Sequence, residues 1–380
     1  MREPVKIIYL ITELDTGGAQ AALYRLLGRL GPGQYQPIVV CFYNGHGTHG
    51  HLITKLGYPV IDLSTHGKKW RLDALWRLMR LLHKEKPEIL HTWLFHANIA
   101  GRVIGRLVGV PIIISSERDV HLSNRFRDWI NRATAPLATR IVCVSKAVAD
   151  YLAQEIRVDK NKLEIIPNGI PLADYVVKTL PALIKHKFGI PLDSLVIGSV
   201  GRLNAVKNFD LLIRVFTRLL KPHPNACLVL AGDGPERDAL MALCQELGLI
   251  FNQQVFFLGY QSDIPSILSA FDIFVLPSEV EGMPNAVLEA MVMGLPVIST
   301  ASGGTQEIIQ NQAIGVLVPP GDANALYHAV DELASNPELR EKLGKSAQLH
   351  AIANYSIERT VELTTRLYQA LLVKVLQETP

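Results

Sequence analysis

Short runs of apolar, mostly β-branched residues alternate along the chain with longer segments in which apolar residues recur every three or four positions. Consecutive apolar positions are typical of strands covered on both faces, and the longer segments are typical of amphipathic helices. Strand–helix alternation predicts right-handed crossovers and a parallel sheet. In the first half, the predicted strands are Lys6–Thr12, Pro37–Phe42, Ile89–Thr92, Pro111–Ser115, Arg140–Val144 and Leu163–Ile166, and the helical patterns include Ala19–Leu30, Leu72–His83, Ile99–Leu107 and Lys146–Gln154.

The alternation stops at Pro167–Pro171, where two prolines, a glycine and an asparagine favour a turn, and it resumes after Pro191. We therefore predict two doubly wound α/β domains, residues 1–170 and 191–359, joined by a linker at 171–190. A long last helix is expected to cross back to the first domain through 360–380. In such sheets ligands bind beyond the carboxyl ends of the strands, which predicts a site in a cleft between the domains. The predicted strands of the second domain are Leu195–Val200, Ala226–Ala231, Val255–Leu258, Ile273–Leu276, Pro296–Ser299 and Val316–Val318.

Composition narrows the class of protein. The 380 residues are 48% hydrophobic and 19% charged, which excludes a disordered chain, and the net charge of +3 does not indicate nucleic-acid binding. Residues 1–175 contain 23 Lys and Arg against 15 Asp and Glu, so the first half is the basic one. The four cysteines form no C-x-x-C pair, and no apolar stretch reaches the roughly 18 residues of a membrane span. These features predict a cytoplasmic protein, with peripheral membrane association left open.

The densest candidate for a site is the stretch from Glu281 to Glu289, which follows a predicted strand and opens a predicted helix. Pro284 stands where proline is favoured, in the first helical turn. Backbone amides at a helix start bind anions or hydroxyl oxygens, and carboxylates accept hydrogen bonds from sugar hydroxyls. Either glutamate alone is typical of a surface loop or a helix start. The two together, eight residues apart, indicate a binding site.

A second candidate is the loop that begins at Gly201, after the first strand of the second domain. Arg202 and Lys207 place two cations on one strand-to-helix loop. An arginine fork and a lysine point charge together suit a diphosphate, whereas two solvated loop cations are the alternative.

Glycine turns mark three further places. Gly17 and Gly18 precede the first helix, where a ligand can approach the backbone closely, although a plain turn explains them equally well. The stretch Ser302–Thr305 could add backbone donors. The stretch Leu230–Glu236 fails the dinucleotide fingerprint because Arg237 occupies the position of the third glycine, so it predicts only a tight turn.

Two remaining features each allow two interpretations. His91 and His96 lie where a strand ends and a helix begins, a place that fits a site, but isolated histidines are more often structural. Metal-ligand spacings do not occur, so no bound metal is predicted. The absence of a nucleophile elbow and of a P-loop counts against a hydrolase triad and a P-loop NTPase, and no cofactor is predicted. Basic-aromatic segments at Lys68–Lys86 and Arg125–Trp129 fit either an anionic membrane surface or helices packed on the sheet.

In order and spacing, these motifs resemble those of the family 4 retaining glycosyltransferases, which have the GT-B fold of two Rossmann-like domains. The resemblance covers nearly the whole chain, including the E-x7-E element Glu281 to Glu289. It implies transfer of a sugar from a nucleotide-diphosphate sugar to a glycan, lipid-linked or small-molecule acceptor, without a protein-bound metal. Cell-surface polysaccharide or glycolipid biosynthesis is the implied setting.

The resemblance also implies individual roles. Glu281 and the nearby amides would hold the donor sugar, Glu289 would accept from the ribose, and Arg202 with Lys207 would stabilise the leaving diphosphate. The implied catalytic residues are Arg202, Lys207 and Glu281, and the implied donor-binding residues are Gly201, Arg202, Lys207, Glu281, Gly282, Met283, Pro284, Asn285 and Glu289. The implied contacts to the donor phosphate or the acceptor are Gly17, Gly18, His96 and Arg118.

One departure from the family pattern concerns the acceptor side. Many relatives carry a functional histidine shortly after the fifth strand, whereas this chain has Arg118 or a neighbour there, with His96 and His121 nearby in sequence.

For the reaction itself, we expect front-face attack on the anomeric carbon through an oxocarbenium-like transition state, because no carboxylate stands out as a nucleophile. A nucleotide-sugar epimerase on the same fold and a non-catalytic nucleotide-sugar binding protein remain the alternatives.

Overall fold

The computed structural model describes residues 4–31, 33–64, 72–119, 125–177 and 179–378. The chain divides into two compact units, Met1–Gly169 with Ile357–Pro380, and Ile170–Ser356. Residues 171–190, which the sequence predicts to be a linker, lie in the second unit and include the helix Pro181–Phe188. Of the segments that the sequence singles out, Lys68–Arg71 and His121 lie outside the described residues.

Within the described ranges, the first unit contains a seven-stranded sheet in the order β3-β2-β1-β4-β5-β6-β7, and every strand pair is parallel. The short strand β3 is only half-buried, and the apolar pattern along the chain does not predict it. The strands are β1 (Val5–Glu13), β2 (Tyr35–Tyr43), β3 (Val60–Asp62), β4 (Ile89–Trp93), β5 (Ile112–Glu117), β6 (Arg140–Cys143) and β7 (Leu163–Ile165).

The helices of the first unit cover this sheet. Strands β4 and β5 are buried along their full length, as expected for strands covered on both faces. The helix that follows β4 begins at Phe95, four residues earlier than the apolar pattern predicts. The helices are α1 (Gly18–Leu27), α2 (Thr48–Lys55), α3 (Leu72–Glu85), α4 (Phe95–Val108), α5 (Arg125–Thr134), α6 (Lys146–Gln154) and α15 (Ile357–Glu378).

The last helix, α15, packs in the first unit, as predicted. Its Leu367, Tyr368 and Leu371 belong to the same hydrophobic core as Tyr9 of β1. The hydroxyl of Tyr368 lies 3.0 Å from the hydroxyl of Tyr9 and 2.6 Å from Nδ1 of His91, all three side chains being buried. Because buried polar groups need partners, this contact fixes α15 on the sheet as well as burying its apolar face.

The second unit contains, within its described residues, a six-stranded parallel sheet in the order β10-β9-β8-β11-β12-β13. Its strands are β8 (Leu195–Val200), β9 (Ala226–Ala231), β10 (Val255–Gly259), β11 (Ile273–Leu276), β12 (Val297–Thr300) and β13 (Val316–Val318). Its helices are α7 (Pro181–Phe188), α8 (Phe209–Leu219), α9 (Arg237–Glu246), α10 (Ile264–Ser269), α11 (Asn285–Val292), α12 (Thr305–Ile308), α13 (Ala323–Ser335) and α14 (Pro337–Asn354).

Each sheet has a point where the order of strands reverses. It lies between β1 and β4 in the first unit and between β8 and β11 in the second. Loops that follow the two central strands leave in opposite directions there, which opens a crevice at the carboxyl ends of the strands. The two-domain parallel fold predicted from the sequence is confirmed, and these two crevices are where sites are expected.

Candidate functional site

In the second unit, Lys207 and Glu281 meet at the strand-order reversal. Lys207 ends the loop after β8, and Glu281 lies on the loop after β11. The Nζ of Lys207 lies 2.5 Å from Oε1 of Glu281, and the two side chains are 20% and 11% exposed. The structure therefore joins the two strongest sequence motifs in one charged pair, although they are 74 residues apart.

Two neighbouring loops hold the loop that carries Glu281. The amide of Glu279 donates to the carbonyl of Val206 at 2.9 Å, and the amide of Gly304 donates to the carbonyl of Glu281 at 3.1 Å. Gly303 has a φ of +50°, and a Cβ at this position would lie 1.8 Å from the carbonyl oxygen of Glu281. Only glycine fits there without displacing the loop. The glycine pair 303–304 thus supports the backbone of Glu281, and the Gly304 amide is already engaged in that hydrogen bond.

The E-x7-E stretch opens α11, which begins at Asn285 directly after Pro284. Glu289 lies in the second turn of the helix and is only 7% exposed. Gly282 and Met283, in the loop that precedes the helix, are also buried, whereas Arg202 is exposed. The first amides of α11 therefore lie in the same loop region as Glu281, and Arg202 is available to solvent on the adjoining loop.

The Leu230–Glu236 stretch has a structural role that agrees with its interpretation as a tight turn. The amide of Leu203 donates to the carbonyl of Asp233 at 3.0 Å, and the amide of Glu236 donates back to the carbonyl of Leu203 at the same distance. A Cβ on Gly232 would lie 1.8 Å from the carbonyl of Gly201. The glycine turn after β9 therefore supports the loop that carries Arg202 and Lys207.

In the first unit, a cavity of about 190 Å³ opens at the strand-order reversal. It brings together two of the sequence-predicted residues, His96 at the start of α4 and Arg118 after β5. The loop after β4 is strained here, because Leu94 has a φ of +72°, which is unfavourable for leucine. The residues lining the cavity are Thr12, Glu13, Tyr43, Leu94, Phe95, His96, Glu117, Arg118, Asp119 and Arg127.

Arg118 is anchored by an aromatic ring and an amide. Its guanidinium lies 4.7 Å from the centre of the Trp93 ring and donates to Oδ1 of Asn168. Burial lowers the pKa of Arg118 to about 10, so the side chain remains cationic at neutral pH. Partial burial and the charge of Arg127 lower the pKa of His96, so its imidazole is neutral there and can accept a hydrogen bond.

Gly17 and Gly18 lie at the start of α1 and do not line this cavity. The neighbouring Gln20 donates to Oε1 of Glu13, and the amide of Asp15 donates to Oε2 of Glu13 at 2.8 Å. The carboxylate of Glu13 therefore shapes the turn that precedes the two glycines and reaches the edge of the cavity.

Glu117, Arg102 and Thr12 are not among the site residues that the sequence predicts. Glu117 is 5% exposed, lines the cavity and pairs with the fully buried Arg102 at 2.8 Å. A basic residue inside a helical segment is typical of a solvated face, so Arg102 gives no signal by itself. The run Glu117–Asp119 at the end of a strand was the available sign, because charged residues there point to a site.

The described residues contain neither a cluster suited to a metal ion nor a helix suited to a membrane span. Among them, no group of three or more His, Cys, Asp and Glu side chains is arranged to hold a metal ion. Across the same residues, no helix combines the length and apolar character needed to span a bilayer.

Comparisons with known proteins agree with this architecture. The model of Glycosyltransferase Family 4 matches residues 16–174, and the model of Glycosyl transferases group 1 matches residues 182–350. The chain is 29% identical over 307 residues to UDP-Gal:alpha-D-GlcNAc-diphosphoundecaprenol alpha-1,3-galactosyltransferase of Escherichia coli. The matched region covers 78% of this chain and 79% of that protein. It is also 29% identical over 303 residues to the lipopolysaccharide core biosynthesis glycosyltransferase LpsE of Rhizobium meliloti, with coverages of 77% and 80%.

Among solved structures, Anabaena Alr3699/HepE in complex with UDP and glucose superposes with a TM-score of 0.86 at 19% identity, covering 96% of this chain and 99% of that one. This likeness establishes the GT-B fold. Both named relatives are glycosyltransferases, in agreement with the sugar transfer that the sequence predicts. The chain is therefore a nucleotide-sugar-dependent glycosyltransferase, in which a Glycosyltransferase Family 4 domain is followed by a group 1 glycosyl transferase domain.

Proposed function

We propose that the protein transfers a hexose from a UDP-sugar to a hydroxyl of a lipid-linked saccharide, with retention of the anomeric configuration. The observation that carries the donor side is the Lys207–Glu281 pair at the strand-order reversal, beside the first turn of α11. A cation, a carboxylate and the amides at a helix start in one crevice match the diphosphate and the hydroxyls of a nucleotide sugar.

The roles within the donor site follow from charge and position. Lys207 and the exposed Arg202 bind the diphosphate, and Glu281 accepts hydrogen bonds from the sugar hydroxyls together with the amides of Gly282–Asn285. Glu289 accepts from the ribose hydroxyls. Before the donor binds, Lys207 and Glu281 neutralise each other, so neither charge is left uncompensated in the crevice.

The reaction needs no protein nucleophile or bound metal in this scheme. The bond between the anomeric carbon and the diphosphate oxygen breaks, and the acceptor oxygen bonds to the same face of that carbon. The acceptor hydroxyl proton passes to the departing diphosphate oxygen. Lys207 and Arg202 stabilise the negative charge that develops on the diphosphate, which is where electrostatic stabilisation contributes most.

The acceptor side belongs to the first unit. His96 and Arg118 line its cavity, and Gly17 with Gly18 allows close approach of a phosphate or an acceptor to the start of α1. The Escherichia coli relative is named for a saccharide on a lipid diphosphate, which is the acceptor class we propose here. The cationic Arg118 suits the diphosphate of such an acceptor.

Helix α5 supports a membrane-bound acceptor. Phe126 and Trp129 are 69% and 64% exposed, and their rings stack with centroids 6.5 Å apart. Arg125 and Arg132 are exposed on the same helix. The acidic Asp128 instead accepts a hydrogen bond from Tyr151 at 2.8 Å. Exposed aromatic rings flanked by arginines suit an anionic membrane surface, and we propose peripheral association there.

A thermal-shift series tests the donor assignment. UDP, ADP, GDP, UDP-glucose, UDP-galactose and UDP-N-acetylglucosamine are compared at equal concentration, with magnesium and with EDTA. A ligand that binds only the folded state stabilises it by about 2.7 kcal/mol at one hundred times its Kd. We expect selective stabilisation by uridine nucleotides that persists in EDTA. If none of the six raises Tm, the donor assignment is wrong. If stabilisation requires magnesium, metal-independent binding is wrong.

A further inference from the structure

The wall of the cavity in the first unit contains an acid whose position is set from behind. Glu117 is the last residue of β5, and its side chain is only 6% exposed. The guanidinium of Arg102 donates to its Oε1 at 2.8 Å. Within the described residues, Arg102 is the one hydrogen-bond donor to this carboxylate. A carboxylate can accept about four hydrogen bonds, so Glu117, which lines the cavity, has capacity for further donors.

Arg102 is itself fixed by a buried polar network. Its Nε donates to Oγ of Ser115 at 2.9 Å, and its other terminal nitrogen donates to Oδ1 of Asn131. The side chain is fully buried on α4. Burying a guanidinium and a carboxylate is expensive, and an apolar pair of similar volume is often more stable. A buried ion pair at the wall of a cavity is therefore better explained by what it presents to a ligand than by stability.

The rest of the cavity matches a sugar. Thr12 is 5% exposed, and its Oγ1 has no hydrogen-bond partner among the described residues although it lines the cavity. The rings of Tyr43 and Phe95 form apolar walls. A carboxylate and a hydroxyl in a cavity that also contains aromatic rings are groups that suit a polyhydroxylated ring with apolar C–H faces.

We propose that Glu117 selects the acceptor, by accepting hydrogen bonds from one or two hydroxyls of its terminal sugar, and that Arg102 is the positioning residue that fixes this carboxylate. The inference rests on the proposed function, since it assigns the acceptor sugar to the cavity of the first unit. It adds the chemical class of the recognised group, which is a sugar hydroxyl rather than a phosphate.

The test measures transfer by the full chain from a UDP-sugar that binds it. The parent acceptor is N-acetylglucosaminyl diphosphate on a short-chain lipid. It is compared with the matching glycoside that lacks the diphosphate, and with its own 3-, 4- and 6-deoxy analogues. For Glu117→Gln we expect an acceptor KM raised at least about tenfold, as for loss of charge-assisted hydrogen bonds. We expect kcat within about threefold and an unchanged Kd for UDP, the tenfold change corresponding to about 1.4 kcal/mol.

The deoxy acceptors separate contact from structural damage. If Glu117 binds a given hydroxyl, removing that hydroxyl weakens transfer strongly in wild type and little in Glu117→Gln. Arg102→Lys keeps the charge but loses the fork geometry, so we expect an intermediate KM. Glu155→Gln, an exposed glutamate of the same unit, serves as the matched control and should leave KM unchanged.

An unchanged acceptor KM in Glu117→Gln overturns the inference. The inference is also overturned if each deoxy acceptor loses the same fraction of transfer in wild type and in Glu117→Gln. An effect seen only with the diphosphate acceptor would assign Glu117 to the phosphate region and also overturn it. If wild type binds UDP but transfers to none of the acceptors, the proposed acceptor class fails along with the inference, and the UDP binding shows that the donor assignment stands.

Discussion

At the scale of single residues, the proposed donor site centres on the ion pair between Lys207 and Glu281. Both side chains are largely buried, with a 2.5 Å contact between Nζ and Oε1. Removing one partner leaves the other charge uncompensated in a crevice of low polarity, which costs more than the pair itself contributes. Substitutions at this pair should therefore affect both donor binding and the rate of transfer.

We expect Glu281→Ala and Lys207→Ala each to reduce the transfer rate by about 10²–10³-fold, as for loss of one electrostatic contact to a transition state. Glu279→Ala is the matched control, because Glu279 is exposed on the same loop. Steady-state transfer and circular dichroism of each variant provide the measurement. Turnover at the wild-type level in either site variant would show that the pair does not belong to the donor site.

Gly303 allows a second residue-scale prediction. Gly303→Ala would place a Cβ 1.8 Å from the carbonyl of Glu281, whereas Gly321→Ala meets a similar backbone conformation, with φ of +75°, in open space. The strained backbone alone costs about 1–2 kcal/mol. We expect Gly321→Ala to lower Tm modestly and keep activity, and Gly303→Ala to lower Tm further and abolish most transfer. Equal effects of the two substitutions on transfer would contradict the supporting role of Gly303.

At the scale of elements, α15 depends on a buried hydrogen-bonded chain. Nδ1 of His91 lies 2.6 Å from the hydroxyl of Tyr368, and Nε2 lies 2.9 Å from Oγ of Ser116. Burial lowers the pKa of His91 to about 3, with a contribution from the charge of Arg118. The imidazole therefore stays neutral in the folded state over a pH range in which the unfolded chain takes up a proton.

This protonation difference sets the sign of a pH effect. Below the unfolded pKa of about 6.5 the unfolded state binds the proton and the folded state does not, so stability falls as pH decreases toward 3. The loss approaches about 1.4 kcal/mol per pH unit for this group. We expect the stability advantage of wild type over His91→Gln, measured by urea unfolding, to shrink by about 3 kcal/mol between pH 7 and pH 4. An advantage independent of pH would contradict the buried neutral histidine.

At the scale of the whole molecule, charge is distributed unequally. The net charge of +3 conceals a basic first half, with 23 Lys and Arg against 15 Asp and Glu, and an acidic second half, with 15 against 20. Helix α5, with its exposed rings and arginines, lies in the basic half. An anionic surface would therefore attract the basic half of the chain, which carries α5, more strongly than the acidic half.

We expect the protein to sediment with vesicles containing phosphatidylglycerol at about 0.05 M salt and to be released at about 1 M, where the screening length is about 3 Å. Trp129→Ala should weaken the association. Leu349→Ala removes a similarly exposed apolar side chain from the second unit and should have no effect. Absence of binding at low salt, or equal weakening by both substitutions, would exclude the α5 surface.

Sequence pattern predicted the elements of this molecule with good accuracy. Strands such as Leu195–Val200, Ala226–Ala231 and Ile273–Leu276 have the bounds that their apolar runs indicate, because full burial on both faces is written into consecutive residues. The three-residue strand Val60–Asp62 has no such run and was not predicted. The GT-B fold and the glycosyltransferase activity, which the family resemblance implies, are confirmed. The assignment of individual site residues stays a prediction.

What the sequence determined by itself is therefore local: strand and helix periodicity, glycine turns, and which loops carry charge. The tertiary structure alone decided which of these charges meet. It pairs Lys207 with Glu281 across 74 positions and places Gly303 against the Glu281 carbonyl. It also sets Arg102 of one helix behind Glu117 of the next strand. The physical reason is that periodicity depends on near neighbours along the chain, whereas these contacts depend on strand order, which brings distant loops to the same edge of a sheet.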